Sequence, residues 1–187
     1  MTGFGIGLLA GEALLEAAAA LLVEGFRDNW PDAWPTIEDG RVEVAEALEA
    51  GRVALAAVGP GGELAGWIGA IPEYRGRVWE VHPLVVDAAW RRRGVARALG
   101  DALAERAAGA GASTLWVGTD DEAGLTSIGG VDLYPDPLQH LASLRDLRGH
   151  PFAIYRRLGF CVAGVVPDAN GPGRPDILMA RRVGGAR

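Results

Sequence analysis

Val85-Val86-Asp87-Ala88-Ala89-Trp90-Arg91-Arg92-Arg93-Gly94-Val95-Ala96 joins an apolar strand to a helix through a turn that carries three consecutive arginines. Backbone N–H groups at a helix N-terminus point outward, and the helix dipole makes that end electropositive, so the turn is a natural cradle for a pyrophosphate. Three arginines at this end oppose the dipole and call for an anionic partner. Gly94 permits close backbone approach, and small Ala96 leaves the first turn uncrowded. Arg91, Arg92, Arg93, Gly94, Val95, Ala96 and Arg97 are therefore the expected contacts for a phosphorylated ligand. A solvated arginine run capping a surface helix is the plain alternative.

Outward from this turn the pattern switches between helical and strand periods. Upstream, Glu12 to Phe26 sets Leu14, Leu15, Ala18, Leu21 and Leu22 at helical spacing. Thr36-Ile37-Glu38-Asp39 has the form of a capping box, opening a second helix that runs to Glu49. Val53 to Val58, Leu64 to Ile71 and Arg77 to Val86 read as strands, the first two joined by a Gly59-Pro60-Gly61-Gly62 turn. Downstream, a helix over 94–108 and a strand from Thr114 to Gly118 complete a βαβ unit, whose strands should be parallel neighbours. Asp120 to Gln139 is rich in Gly, Asp and Pro, and loops of that length usually line a ligand site. A helix from Pro151 to Leu158 and strands from Phe160 to Val166 and Ile177 to Val183 follow. The expected architecture is a single α+β (mixed α/β) domain over residues 1–187, built around a mixed sheet.

Composition narrows the partners. With 49% hydrophobic and 22% charged residues the chain can bury an ordinary core, and a length of 187 suits one domain. A net charge of -6 argues against nucleic acid or an anionic membrane and suits a cationic ligand. Every basic residue is Arg or His. The lone Cys161 excludes an internal disulfide; beside Phe160 and Val162 it reads as a small buried hydrophobe. Gly3 to Val23 is apolar, but no basic residue precedes it, and Glu12 and Glu16 interrupt it. Neither a signal peptide nor a membrane span is expected, which points to the cytoplasm. No His, Cys or carboxylate set has metal-ligand spacing, so no metal is expected.

Arg91-x-x-Gly94-x-Ala96 after an apolar strand resembles the acyl-CoA signature of the GCN5-related N-acetyltransferases. The likeness tightens around Gly66-Trp67-Ile68-Gly69-Ala70-Ile71-Pro72, Trp79-Glu80-Val81-His82-Pro83-Leu84, Gly118-Thr119-Asp120-Asp121, Asp132-Leu133-Tyr134 and Tyr155-x-x-Leu158-Gly159-Phe160. With Pro167-Asp168-Ala169-Asn170-Gly171, this order and spacing is similar to that of the aminoglycoside 6'-N-acetyltransferases, from Gly66 onward. The resemblance implies a GCN5-related acetyltransferase fold, whose central mixed twisted sheet is splayed between strands four and five and flanked by helices. It also implies acetyl-CoA as co-substrate, direct transfer to the 6'-amine of an aminoglycoside (a resistance activity), and subunits paired as a homodimer. An acetyltransferase for another amine, polyamine or protein, and an acyl-CoA-binding sensor without catalysis, are the alternatives.

Acetylating an ammonium requires a group that takes the proton, donors for the thioester oxygen and an acid for the departing thiolate. Strict alternation along Arg77 to Val86 puts Glu80, His82, Leu84 and Val86 on one face. Glu80 is the candidate base, through water, and His82 could share the role. An ordinary exposed carboxylate and a hydrogen-bonded core histidine are the plain alternatives. Pro83 cannot donate a ladder hydrogen bond and is unexpected in a central strand. The resemblance implies a bulge there that admits the acetyl-pantetheine arm, with backbone groups at Leu84, Val85 and Val86 binding the thioester oxygen and pantetheine. It also makes Tyr155 the proton donor to the thiolate. Asp120, Asp121 and Glu122 follow the parallel strand, where open α/β sheets bind ligands. With Asp132, Asp136 and Asp168 they form a candidate anionic wall for a polycationic sugar. Trp30, Trp34 and Trp67 are candidates for either the cleft wall or the core, and His140 and His150 show no partner set.

Overall fold

In a computed structural model, residues 3–28 and 30–184 are described. The strands are β1 (Gly5–Leu8), β2 (Val53–Val58), β3 (Leu64–Glu73), β4 (Val78–Val86), β5 (Thr114–Asp120), β6 (Cys161–Val166) and β7 (Asp176–Arg182). The helices are α1 (Glu12–Phe26), α2 (Ile37–Ala47), α3 (Val95–Gly109), α4 (Pro137–Ala142) and α5 (Phe152–Arg157). The strands form a mixed sheet in the order β1-β2-β3-β4-β5-β7-β6. No helix among the described residues is long and apolar enough to cross a membrane. The chain gathers into two compact units, one running up to Leu115 and taking in Val183, the other Trp116–Arg182.

In the first unit β1 to β4 form an antiparallel meander. Ala54, Ala56, Trp67 and Val85 pack with Ala18, Ala19 and Leu22 of α1 and Val44 of α2 in one buried cluster. Leu22 is fully buried, which stabilises the fold by about 1.5–3 kcal/mol. The Trp67 indole is fully buried, and its N–H donates to the Ala18 carbonyl at 3.3 Å, so Trp67 is a core residue. The expected capping box is present: Thr36 Oγ1 accepts from Asp39 N–H while the Asp39 carboxylate accepts from Thr36 N–H. α1 and α2 pack closely because Gly40 has no side chain; a Cβ there would lie 2.6 Å from the Ala19 carbonyl oxygen. On α3, Val95, Leu99, Leu103 and Ala107 recur every fourth residue, are buried, and face β2, β3 and β4.

In the second unit β6 and β7 form an antiparallel pair. Thr119 is buried, with its hydroxyl donating to the Ile177 carbonyl at 3.0 Å. The segment after β5 is fixed by its own polar side chains. Leu125 N–H donates to one Asp121 oxygen, and Thr126 N–H and Oγ1–H to the other, and Asp121 is 1% exposed.

At the level of the fold the structure departs from the sequence reading at β1, α4 and Cys161. β1 lies inside the apolar run read as continuous; its four residues are all exposed, so it has no alternation to detect. α4 forms across the end of the long loop and beyond it, with Pro137 in its first turn. Cys161 is exposed rather than buried, because β6 ends the sheet and the residue's face is left open; its thiol lies 3.4 Å from the Ala180 carbonyl.

Candidate active site

β4 ends at Val86, and Asp87 caps a single 3-10 turn, Ala88–Trp90, by accepting from Ala89 N–H at 2.8 Å. The chain then passes through Arg92 at φ 59° and Gly94 at φ 87° before α3 begins. A left-handed arginine costs conformational energy that a glycine avoids, and such positions cluster where backbone must be presented to a ligand. Arg91, Arg92, Arg93 and Gly94 are all exposed. The Arg93 guanidinium lies over the Trp90 ring at 5.3 Å, and Arg91 Nε–H donates to the Val86 carbonyl at 3.4 Å. Two of the three cations are thus braced beside the α3 N-terminus, where the first-turn amides of Val95, Ala96 and Arg97 lack intrahelical acceptors. That arrangement fits a pyrophosphate.

Upstream, β4 is bulged. Ile68 pairs with Leu84 and Ala70 with Val81, so a step of two residues on β3 spans three on β4, and the extra length falls at His82-Pro83. The peptide between those two residues is cis. Gly69 is required opposite the bulge: a Cβ there would collide with the His82 carbonyl and come within 3.3 Å of Pro83 Cδ. The bulge also corrects the expected face. Leu84 and Val81 share a face with Ile68 and Ala70, while Glu80 and Val85 share the other with Ile71 and Trp67. Strict alternation from Glu80 to Leu84 fails because the extra residue inverts the period, leaving Leu84 across the sheet from Glu80.

His82 meets groups from the segment before α2 and from α2 itself. His82 Nε2 lies 3.5 Å from Glu43 Oε1, and Trp34 Nε1–H donates to Glu43 Oε2 at 3.3 Å. The Trp34 and His82 rings are 6.0 Å apart, with Phe26 edge-on to Trp34 at 4.7 Å and Trp30 5.9 Å from Phe26. Burial pushes the Glu80 carboxyl above the usual carboxylate range, with Glu73 adding to the rise and His82 and Arg52 opposing it. The hydrogen bond to Glu43 raises the His82 imidazole above its ordinary value, against burial, and the Glu43 and Glu80 charges reinforce it. Burial disfavours ionised Glu43, but the contacts with His82 and Trp34 and the charge of Arg52 outweigh it and hold this carboxyl low. Glu43 escaped the sequence reading because its partner lies 39 positions later and nothing in a helical pattern marks it.

In the second unit Tyr155 sits on α5, half-buried, edge-on to Phe160 at 5.4 Å, and burial pushes its phenol pKa well up. Asp132 and Asp168 line one concavity of about 500 Å3 with Gly130, Tyr134, Pro172 and Gly173. Asp132 accepts from Tyr134 N–H, and Asp168 from Gly173 N–H at 2.7 Å. Four other predicted carboxylates stand elsewhere, exposed Glu122 among them. Asp120 accepts from Asn170, and exposed Asp136 precedes α4. Asp121 is consumed inside its own loop, so it organises that loop instead of meeting a ligand. His150, also missed as a partnered residue, is fully buried. Its Nδ1 accepts from Phe152 N–H at 3.1 Å, so Nε2 carries the proton donated to the Asp120 carbonyl at 3.0 Å.

Comparison with known proteins places this geometry. A profile of the acetyltransferase (GNAT) family matches residues 15–129. A crystal structure of an aminoglycoside 6'-N-acetyltransferase complexed with coenzyme A is 34% identical, covers 98% of this chain and 99% of that one, and superposes with a TM-score of 0.88. The aminoglycoside 6'-N-acetyltransferase from Enterococcus faecium is also 34% identical with the same coverage and a TM-score of 0.86. An aminoglycoside 6'-acetyltransferase of type Ii is 30% identical, with a TM-score of 0.71 and 98% of this chain covered. No curated protein sequence matches the chain. The bulged β4, the arginine turn at α3 and these likenesses converge: the chain belongs to the acetyltransferase (GNAT) family.

Proposed function

We propose that this acetyltransferase moves an acetyl group from acetyl-CoA directly to the 6'-amine of an aminoglycoside. The observation that carries the reading is the 34% identity, over 98% of the chain, to a 6'-N-acetyltransferase complexed with coenzyme A. An acidic chain and the Asp132–Asp168 concavity suit a polycationic acceptor. Acetylating that amine removes a positive charge and hydrogen-bond donors from the drug, a resistance activity. A homodimer, cytoplasmic residence and one cooperative unfolding domain belong to the same proposal; light scattering, fractionation and calorimetry read them.

Acetyl-CoA, when bound, supplies the activated acetyl group, and the residues fit it through the arginine turn and the Leu84–Val86 backbone. Glu80 takes a proton from the ammonium, freeing the nitrogen lone pair. The nitrogen bonds to the acetyl carbon, the carbon–sulfur bond breaks with its electron pair left on sulfur, and Tyr155 gives its proton to that thiolate. The surplus proton on the new amide nitrogen passes to the tyrosinate, leaving a neutral amide and Tyr155 restored. Burial raises the phenol pKa, so Tyr155 stays protonated and has a proton to give. Backbone amides around Leu84 face the thioester oxygen in this proposal. Trp30, Asp120, Asp132, Asp136 and Asp168 are proposed acceptor contacts. The Glu80→Gln variant tests the assignment: kcat should drop roughly 10²–10⁴-fold while acetyl-CoA affinity holds. Undiminished kcat removes Glu80 from the mechanism.

A further inference from the structure

We infer that Glu43 is a positioning residue for the transfer step: with Trp34 it holds His82 in the imidazolium form, so His82 is a fixed cation and Glu80 alone accepts the amine proton. The inference rests on the reading of the chain as an acetyltransferase with Glu80 as base, and it decides between the two proton acceptors that the sequence left open.

The Glu43 side chain is 11% exposed, and a carboxylate so withdrawn from water is costly unless its oxygens are paired. They are divided between two donors, Oε2 to the Trp34 indole and Oε1 to His82 Nε2. An ionised carboxylate only accepts, so Nε2 carries a proton, and the withdrawn Glu43 anion beside the ring favours a second proton on Nδ1, which leaves the imidazolium no lone pair. The partner is itself well placed: the Thr36–Asp39 capping box fixes the start of α2, and Glu43 follows about one turn later. Phe26 packs edge-on against Trp34 and fixes the indole that shares the carboxylate.

Two other charges reach this pair. Glu80, two residues before His82 on β4, favours the imidazolium, as does Glu43. Arg52, before β2, opposes it, and Glu73, at the end of β3, acts on Glu80. His82 thus has a carboxylate from α2 and another from its own strand. In return its positive charge favours ionised Glu80, against the burial that would neutralise that group. One histidine therefore keeps the base ready to accept a proton without accepting one itself.

The test follows the His82 imidazole by NMR across pH in the full-length wild type, Glu43→Gln and Glu43→Asp, with His82→Gln identifying the resonance among the three histidines. Wild-type His82 should stay protonated above the ordinary histidine midpoint. In Glu43→Gln the midpoint should fall by about one pH unit, a tenfold loss of proton affinity, and Glu43→Asp should restore part of it. In parallel, kcat should fall in Glu43→Gln with acetyl-CoA affinity unchanged, and the alkaline limb of kcat/KM should move with the midpoint. An unmoved midpoint overturns the inference, and so does wild-type activity that rises as His82 loses its proton. If the midpoint moves but the wild type acetylates no amine, the enzymatic reading fails while the Glu43–His82 pairing stands.

Discussion

Gly69→Ala puts the bulge of β4 to the test, and the sign of its effect is diagnostic. Gly69 lies in a strand and outside the left-handed region, so replacing it with alanine would ordinarily stabilise by about 0.5–1 kcal/mol through the unfolded chain. Here the added Cβ meets the His82 carbonyl oxygen, sits 3.0 Å from the carbonyl carbon and 3.3 Å from Pro83 Cδ. These are backbone and ring atoms with no rotamer to yield, so the strand must shift. Overpacking of this kind costs about 1–3 kcal/mol, out of a total stability of roughly 5–15 kcal/mol. In a chain of this length each kcal/mol lowers Tm by about 2–4 °C. Urea and thermal unfolding of Gly69→Ala beside Gly5→Ala, which meets nothing within 4 Å, separates the two contributions. Gly5→Ala should show that ordinary gain, about 0.5–1 kcal/mol. A displaced His82 should also cost turnover, because misplacement of about 1 Å can cost a hundredfold. A Gly69→Ala protein as stable as wild type, or more stable, would refute the close approach of β3 to the bulge.

Replacing Arg91 and Arg93 together by alanine should weaken acetyl-CoA binding by at least about tenfold, equivalent to ~1.4 kcal/mol, with kcat at saturating cofactor less affected; calorimetric titration reads it, and unchanged affinity would sink the phosphate assignment. Burial depresses the His150 pKa, and a proton on Nδ1 would break its bond from Phe152 N–H. The folded state therefore resists protonation that the unfolded state accepts: the contribution to stability is whole above pH 6.5 and is lost as pH falls through the depressed folded value. Urea midpoints measured from pH 7.5 to 5 in wild type and His150→Asn should show the wild type losing more; parallel slopes would contradict this.

Most of the architecture was legible because long-period signals survive without context. Leu14 to Leu22, the Thr36 capping box and the apolar runs of β2 to β4 each announce an element that the structure contains. What failed was what depends on neighbours. The extra residue at His82-Pro83 inverts a period of two; the unexpected Pro83 and the family resemblance pointed to a bulge, but not to the inverted face. β1 is an exposed edge with no alternation, and Cys161 is exposed because of where β6 falls in the sheet order. Among the site residues, the arginine turn could be read from local spacing, whereas Glu43 matters only through a side chain 39 positions away. Carboxylates after β5 looked alike in sequence; a hydrogen-bond inventory separates Asp121, spent on its own loop, from Asp132 and Asp168 on an open concavity.

The central claim is regiospecific acetyl transfer, and the most direct measurement is coenzyme A release with acetyl-CoA and matched acceptors. The set pairs aminoglycosides bearing a 6'-amine with analogues bearing a 6'-hydroxyl, and adds spermidine and a lysine-rich peptide. The account predicts turnover with the 6'-amine compounds and none with the others. Equal turnover on the 6'-hydroxyl analogues, turnover on spermidine or the peptide alone, or no turnover at all would contradict it.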